Sequence, residues 1–139
     1  MQTAVRQKVA TCLMFDGQAE EAMNLYVSLF KDSKIVAIQY YGAAGPGKEG
    51  KVEKALFSLN GQEFLAYDTP VKHEFGFTPA VSMFVHCDSD QEIDGLYKTL
   101  SENGTVMMQL DKYHFADKFC SITDRYGVSW KMILVPSTT

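Results

Sequence analysis

The chain has 139 residues, 46% of them apolar and 22% charged, with a formal net charge of -4. That is enough chain for one domain with a real core, and an acidic balance without any Lys/Arg run gives no electrostatic footprint for nucleic acid or an anionic membrane. No apolar stretch approaches the roughly 18 residues of a membrane span, MQTAVRQ lacks the apolar core of a signal peptide, and Cys12, Cys87 and Cys120 form no CxxC pair. The expected setting is a reducing cytoplasm with free thiols, and Cys12 and Cys87 are expected to face the core.

Lys8 to Phe15 (KVATCLMF) reads as a first strand, apolar on both faces. An amphipathic helix follows, with Ala19, Ala22, Met23, Tyr26, Leu29 and Phe30 on one side. Asp16 is placed as its N-cap, Glu20 and Glu21 lie near its positive end, and Lys31-Asp32-Ser33 ends it. Ile35 to Tyr41 is a second strand, rich in Ile, Val and Tyr. GAAGPGKEGK is a loop. Val52 to Leu59 and Gln62 to Asp68 are strands joined by Asn60-Gly61, a strong hairpin signal. Thr69 to Pro79 is a connector.

Ala80 to Cys87 opens the second half as a strand. Ser89-Asp90-Gln91-Glu92 has capping-box form and starts a helix with Ile93, Leu96, Tyr97 and Leu100 on one side, ending at Asn103-Gly104. Thr105 to Met108 reads as a strand, Gln109 to Asp117 as a loop, and Phe119 to Thr123 as a strand. Asp124 to Gly127 is a turn, and Val128 to Val135 the last strand.

The order is thus βαβββ twice. At an offset of 71, Leu25-Tyr26 falls on Leu96-Tyr97, Leu29 on Leu100 and Ile35 on Val106; at an offset of 66, Gly61 falls on Gly127 and Phe64 on Trp130. The expected fold is α+β: two tandem βαβββ units, about residues 8–68 and 80–135 of a single domain spanning 1–139. They are expected to form a curved mixed sheet around a cup, with the helices on its outer face.

Several familiar signals fail on inspection. Gly42 to Lys48 nearly spells a phosphate-binding loop, but Glu49 stands where a hydroxyl belongs and a strand follows instead of a helix. No strand–glycine-rich loop–helix unit for a dinucleotide or S-adenosylmethionine occurs. His73, His86 and His114 have no second ligand at metal-binding spacing, and no GxSxG elbow marks a nucleophile.

FDGQAEEAMNLYVSLF, YGAAGPG, NGQEFLAYD and DRYGVSWKMI, together with the duplication, resemble the vicinal oxygen chelate superfamily of glyoxalases, bleomycin-resistance proteins and extradiol dioxygenases. The resemblance is closer to its PhnB-like branch, often labelled 3-demethylubiquinone-9 3-methyltransferase, and spans about residues 8 to 134. It implies a divalent metal held in the cup by one His, Gln or Glu from each of four strands. The repeat maps those places to Thr11, Leu65, Ser82 and Lys131. A hydroxyl is a poor ligand, Leu is none, and an ammonium repels a cation, so no metal and no other cofactor is expected.

Alternation then puts Thr11, Leu13 and Phe15, Ser82, Phe84 and His86, Glu63, Leu65 and Tyr67, and Ser129, Lys131 and Ile133 on the cup face. Tyr113 and Phe115, in Lys112-Tyr113-His114-Phe115, are expected at a mouth or a subunit contact. An apolar wall with Lys131, Glu63 and His86 fits a site for a small organic ligand; it also fits a filled core with a Lys–Glu pair. The function implied is a small-molecule-binding protein of the glyoxalase/bleomycin-resistance type. The alternative is a lyase, isomerase or other enzyme using Lys131, Glu63 or His86, or an atypical metal site. A homodimer is expected, with no nucleic-acid or membrane partner.

Overall fold

The structure, a computed structural model, describes residues 6–134. Its elements are β1 (Thr11–Phe15), α1 (Ala19–Leu29), β2 (Lys34–Tyr40), β3 (Val52–Leu59), β4 (Gln62–Asp68), β5 (Ser82–Cys87), α2 (Asp90–Ser101), β6 (Thr105–Tyr113), β7 (Ala116–Thr123) and β8 (Ser129–Leu134). The fold is α+β, and the βαβββ order occurs twice. The chain divides between Glu74 and Phe75 into two compact units. The mixed sheet is present as two four-stranded sheets, one in each unit, ordered β1-β4-β3-β2 and β5-β8-β7-β6. In both, the first strand pairs in parallel with the last and the remaining pairs are antiparallel. No described helix is long and apolar enough to cross a membrane.

In the first unit, Ala19, Ala22, Met23 and Tyr26 of α1 are fully buried, and Leu13, Phe15, Ala55, Phe57, Phe64 and Ala66 of the sheet are buried with them. Phe57 and Phe64, in register, stack with ring centroids 5.3 Å apart. The predicted turn holds: Asn60 and Gly61 both have positive φ, 50° and 87°, the left-handed pair that a two-residue hairpin turn requires.

The predicted cap does not hold. Asp16 does not cap α1; the N-cap is Gln18, whose side chain makes no capping bond. Instead the backbone amides of Gly17 and Ala19 both donate to Oδ1 of Asp68, at 2.9 Å each, and the amide of Val52 donates to Oδ2 at 2.9 Å. Asp68 is itself buried, at the end of β4. A carboxylate brought in from the sheet meets the unsatisfied donors at the helix start, as a local side chain would have done.

In the second unit α2 buries Ile93, Leu96 and Leu100, and the sheet buries Cys87, Cys120, Ile122, Trp130 and Met132. The N-cap forms as read, Ser89 accepting from the amide of Glu92 (3.1 Å), while the Glu92 carboxylate reaches one residue further back and accepts from the amide of Asp88 (2.7 Å). Asp124, also buried, accepts from the amides of Tyr126 and Val128 and from the Trp130 indole N–H (2.8 Å), which fixes the turn before β8.

Several boundaries differ from the sequence reading. β6 and β7 are longer than expected, so the stretch read as a loop, Gln109 to Asp117, is mostly a hairpin turning at His114-Phe115. Three register shifts between β6 and β7 break the alternation that would have marked it, and no Gly or Pro interrupts it. Val135, expected in the last strand, lies outside the described residues.

Cys12 is exposed rather than core-facing, while Cys87 and Cys120 are buried. Burial raises all three thiols above their ordinary value, Cys87 to about 12 and Cys120 to about 11. A maleimide at pH 8 is expected to label Cys12 alone in the native protein and all three after unfolding; native labelling of Cys87 or Cys120 would contradict the packing. Because the folded state keeps the last two protonated, unfolding releases protons above pH 9 or so, and stability should fall as pH rises past that point.

Candidate functional site

In-register neighbours on adjacent strands share a face, which separates the two sides of each sheet. In the first unit Leu13 pairs with Ala66, Phe15 with Asp68 and Thr11 with Phe64, all on the side that α1 covers. Cys12 pairs with Leu65 and Met14 with Tyr67 on the open side, together with Glu63 and Leu56. The expectation that Thr11, Leu13 and Phe15 share a face with Leu65 and Tyr67 is therefore corrected: the open face of β1 carries Cys12 and Met14. The cause is that the offset of 71 taken from the helices is one residue short for this strand, and a slip of one residue exchanges its faces. The register, with Phe64 matched to Trp130, sets Thr11 against Met83 instead of Ser82. The helices also shift, Leu96 being buried where Tyr97 is only half-buried.

In the second unit Ser82, Phe84 and His86 share one face with Ser129, Lys131 and Ile133. Three registered rows cross β5, β8 and β7: Ser82–Ser129–Thr123, Phe84–Lys131–Ser121 and His86–Ile133–Phe119. The first row is all hydroxyl and the last mostly aromatic. The Lys131 ammonium donates to Ser82 Oγ at 2.6 Å, and Ser82 Oγ shares a 2.8 Å hydrogen bond with Ser129 Oγ. Lys131 makes no ion pair among the described residues.

Around this polar row lies a cluster of rings. Phe84, half exposed, is 5.1 Å from His86 and 6.4 Å from Phe119 between centroids, and Phe115 meets Phe119 edge-on at 5.0 Å. Tyr113 stacks on Phe115 at 5.7 Å and meets Phe119 edge-on at 6.0 Å. Tyr113 and Phe115 thus stand at the end of the β6–β7 hairpin and join the site. Phe119, Ser121 and Thr123 were missed by sequence reasoning, which took the face from first and last strands only; the alternation of β7 carried the signal.

Glu63 is tied to the chain before β1. Its Oε1 accepts from the amides of Arg6 (2.9 Å) and Gln7 (2.7 Å), and its own amide donates to the Gln7 side chain. A cleft of about 320 Å³ opens away from this face, beside the start of α1 between Glu20, Glu21, Asn24 and Lys51. There the Lys51 ammonium is committed to the Gly17 carbonyl at 2.9 Å.

The superfamily's metal does not fit these residues. Thr11 faces α1, Leu65 has no donor atom, and Ser82 and Lys131 are bonded to each other. Among the described residues no group of three or more His, Cys, Asp or Glu side chains is placed to hold an ion.

The sequence profile described as 3-demethylubiquinone-9 3-methyltransferase matches residues 7–133. The structure of a PhnB protein from Bacillus cereus is 51% identical and superposes with a TM-score of 0.92, covering 93% of this chain and 100% of its own. Protein PA1353 from Pseudomonas aeruginosa is 26% identical with a TM-score of 0.79, covering 92% and 97%. A glyoxylase/bleomycin resistance protein/dioxygenase domain from Frankia sp. EAN1pec, 10% identical, shares the fold with a TM-score of 0.65 over 98% and 96%. Among curated proteins the chain has no match.

Proposed function

Since the chain belongs to the 3-demethylubiquinone-9 3-methyltransferase family, the PhnB-like branch of the vicinal oxygen chelate superfamily, we propose that it binds a small organic ligand without a resident metal. The observation that carries this reading is the second unit's open face, where a lysine and hydroxyls stand beside the half-exposed ring of Phe84 in place of a ligand set for a cation. The fold itself argues against S-adenosylmethionine chemistry of the usual kind. Each parallel pair sits in a mixed four-stranded sheet, and α1 and α2 each start from a short turn without a glycine-rich dinucleotide-type loop.

An enzyme of the same superfamily is the second reading. It is favoured by the short Lys131–Ser82 bond, and with Glu63 committed to backbone amides it would rely on Lys131 and His86. A cytoplasmic setting and a homodimer belong to the proposal as well. Three free cysteines suit a reducing compartment. Val106, Met107 and Met108 on the edge strand β6 are exposed apolar groups that a second copy would cover.

Native mass spectrometry of the purified protein tests these points together. The expected species is twice the 15.6 kDa chain, free of divalent metal and able to take up an organic adduct. Melting curves with zinc, nickel or chelator should coincide, because only a ligand of the native state raises apparent stability. Stoichiometric metal with a chelator-sensitive melt would overturn the metal-free reading, and a monomer at micromolar concentration would overturn the dimer.

A further inference from the structure

We infer that the ligand class of this face is an aromatic carboxylate, its anion held by Lys131 and its ring by the half-exposed Phe84, which the buried Phe119 backs; this rests on the small-molecule reading above. The charge side comes from the three rows. Across β5, β8 and β7 their only ionisable members are Lys131 and His86, and neither supplies a negative charge; Asp111 of β6, in register with Phe119, stands beyond the last row with its Oδ1 accepting from the Lys112 amide. Lys131 is half-buried and its one described bond goes to a neutral hydroxyl, which leaves two of its three N–H donors for an acceptor from outside the chain. Ser129 Oγ, buried and bonded to Ser82 Oγ, fixes that hydroxyl from behind. Ser82 Oγ also donates to the Pro79 carbonyl at 3.3 Å, so the charge-assisted hydrogen bonds to a carboxylate come from the ammonium, which the hydroxyl holds in place.

The apolar side comes from ring placement. Phe84 is on β5 and Phe119 on β7, with β8 between them, so their backbones are separated by two strand spacings, about 9.6 Å across the sheet, and by one row along it. Their ring centroids are only 6.4 Å apart and tilted by 43°. The two rings therefore lean toward each other over β8, on whose open face Lys131 and Ile133 lie. Successive rows are about 6.7 Å apart along the strands, a distance that suits a carboxylate at Lys131 and a fused or substituted ring at Ile133. A cationic or neutral aromatic would leave the ammonium unmatched, and an aliphatic acid would leave the rings without a flat partner.

The test uses 2-naphthoate, its neutral isostere 2-naphthamide, and amide-resolved NMR titration of the intact protein. Naphthoate is expected to bind saturably, shifting amides of β5, β7 and β8, and about tenfold to a hundredfold more tightly than naphthamide, the difference that a charge-assisted hydrogen bond supplies. Lys131→Met keeps the length of the stem and should bring the two affinities together, whereas Lys131→Arg should keep most of the preference. Equal binding of the two probes by the native protein overturns the carboxylate assignment while leaving the small-molecule reading intact, and this comparison needs no variant. A preference that survives in Lys131→Met overturns it too. If neither probe binds, this inference falls, and native mass spectrometry decides separately whether the protein takes up any organic ligand.

Discussion

Replacing Asp68 with alanine is expected to lower the stability of the protein by on the order of 4 kcal/mol, among the largest effects of any single side chain outside the apolar core. The carboxylate accepts three backbone amides, from Gly17, Ala19 and Val52, all at 2.9 Å. Hydrogen bonds to a charged group contribute about 1.5–3 kcal/mol each, and buried donors left without a partner add their desolvation cost. Relaxation and water entry reduce that sum. Against a typical total of about 5–15 kcal/mol, the variant would be close to unfolding, with a melting temperature lower by roughly 15 °C. Asp68→Asn should lose about half as much, because the amides of Gly17 and Ala19 can keep their shared oxygen acceptor while that of Val52 faces an NH2 group. Thermal or urea denaturation of the two variants checks the order. An Asp68→Ala protein within about 1 kcal/mol of the native one would show that the three amides find other partners.

Gly104→Ala is expected to cost about 2–4 kcal/mol, through overlap rather than through lost freedom. A Cβ on Gly104 would collide with the carbonyl oxygen of Thr123 and approach Cα of Asp124 at 3.1 Å, and both are backbone atoms that cannot swing away. The left-handed residue at the end of α2 is its neighbour Asn103, with φ of 59°. Asn103→Gly should therefore change stability by less than about 1 kcal/mol, since glycine adopts that conformation freely. A reversed order in denaturation midpoints would mean that β6 and β7 can separate at this end.

The Asn103-Gly104 pair illustrates how far the sequence reads. That a helix ends there is legible from the dipeptide; which residue turns the chain and which makes room for a neighbouring strand is not, because the second role depends on Thr123. The same division runs through the chain. Asn60-Gly61, the Ser89–Glu92 box and the match of Phe64 to Trp130, both buried, are local or repeated patterns and were readable. The cap on α1 was not, because its acceptor is on β4. The open face of β1 was assigned wrongly because similarity between two helices was extended into a strand, where one residue of slip reverses every side chain. In the candidate site, Lys131, Ser82, Phe84 and His86 followed from alternation. The contribution of β7 needed the register.

The two helices also differ in how much of the protein must exist before they are complete. The first turn of α2 is satisfied by residues 88 to 92, so its beginning is written in a single short segment. The first turn of α1 waits for a carboxylate 49 to 51 residues further along. During synthesis α1 leaves the ribosome well before Asp68, and until the β3–β4 hairpin has been made and folded back, its amides have only water. One helix is thus a property of its own segment, and the other is a property of the sheet it lies on. A lesion in β4 would be felt first at the start of α1, far away in the chain but adjacent in space.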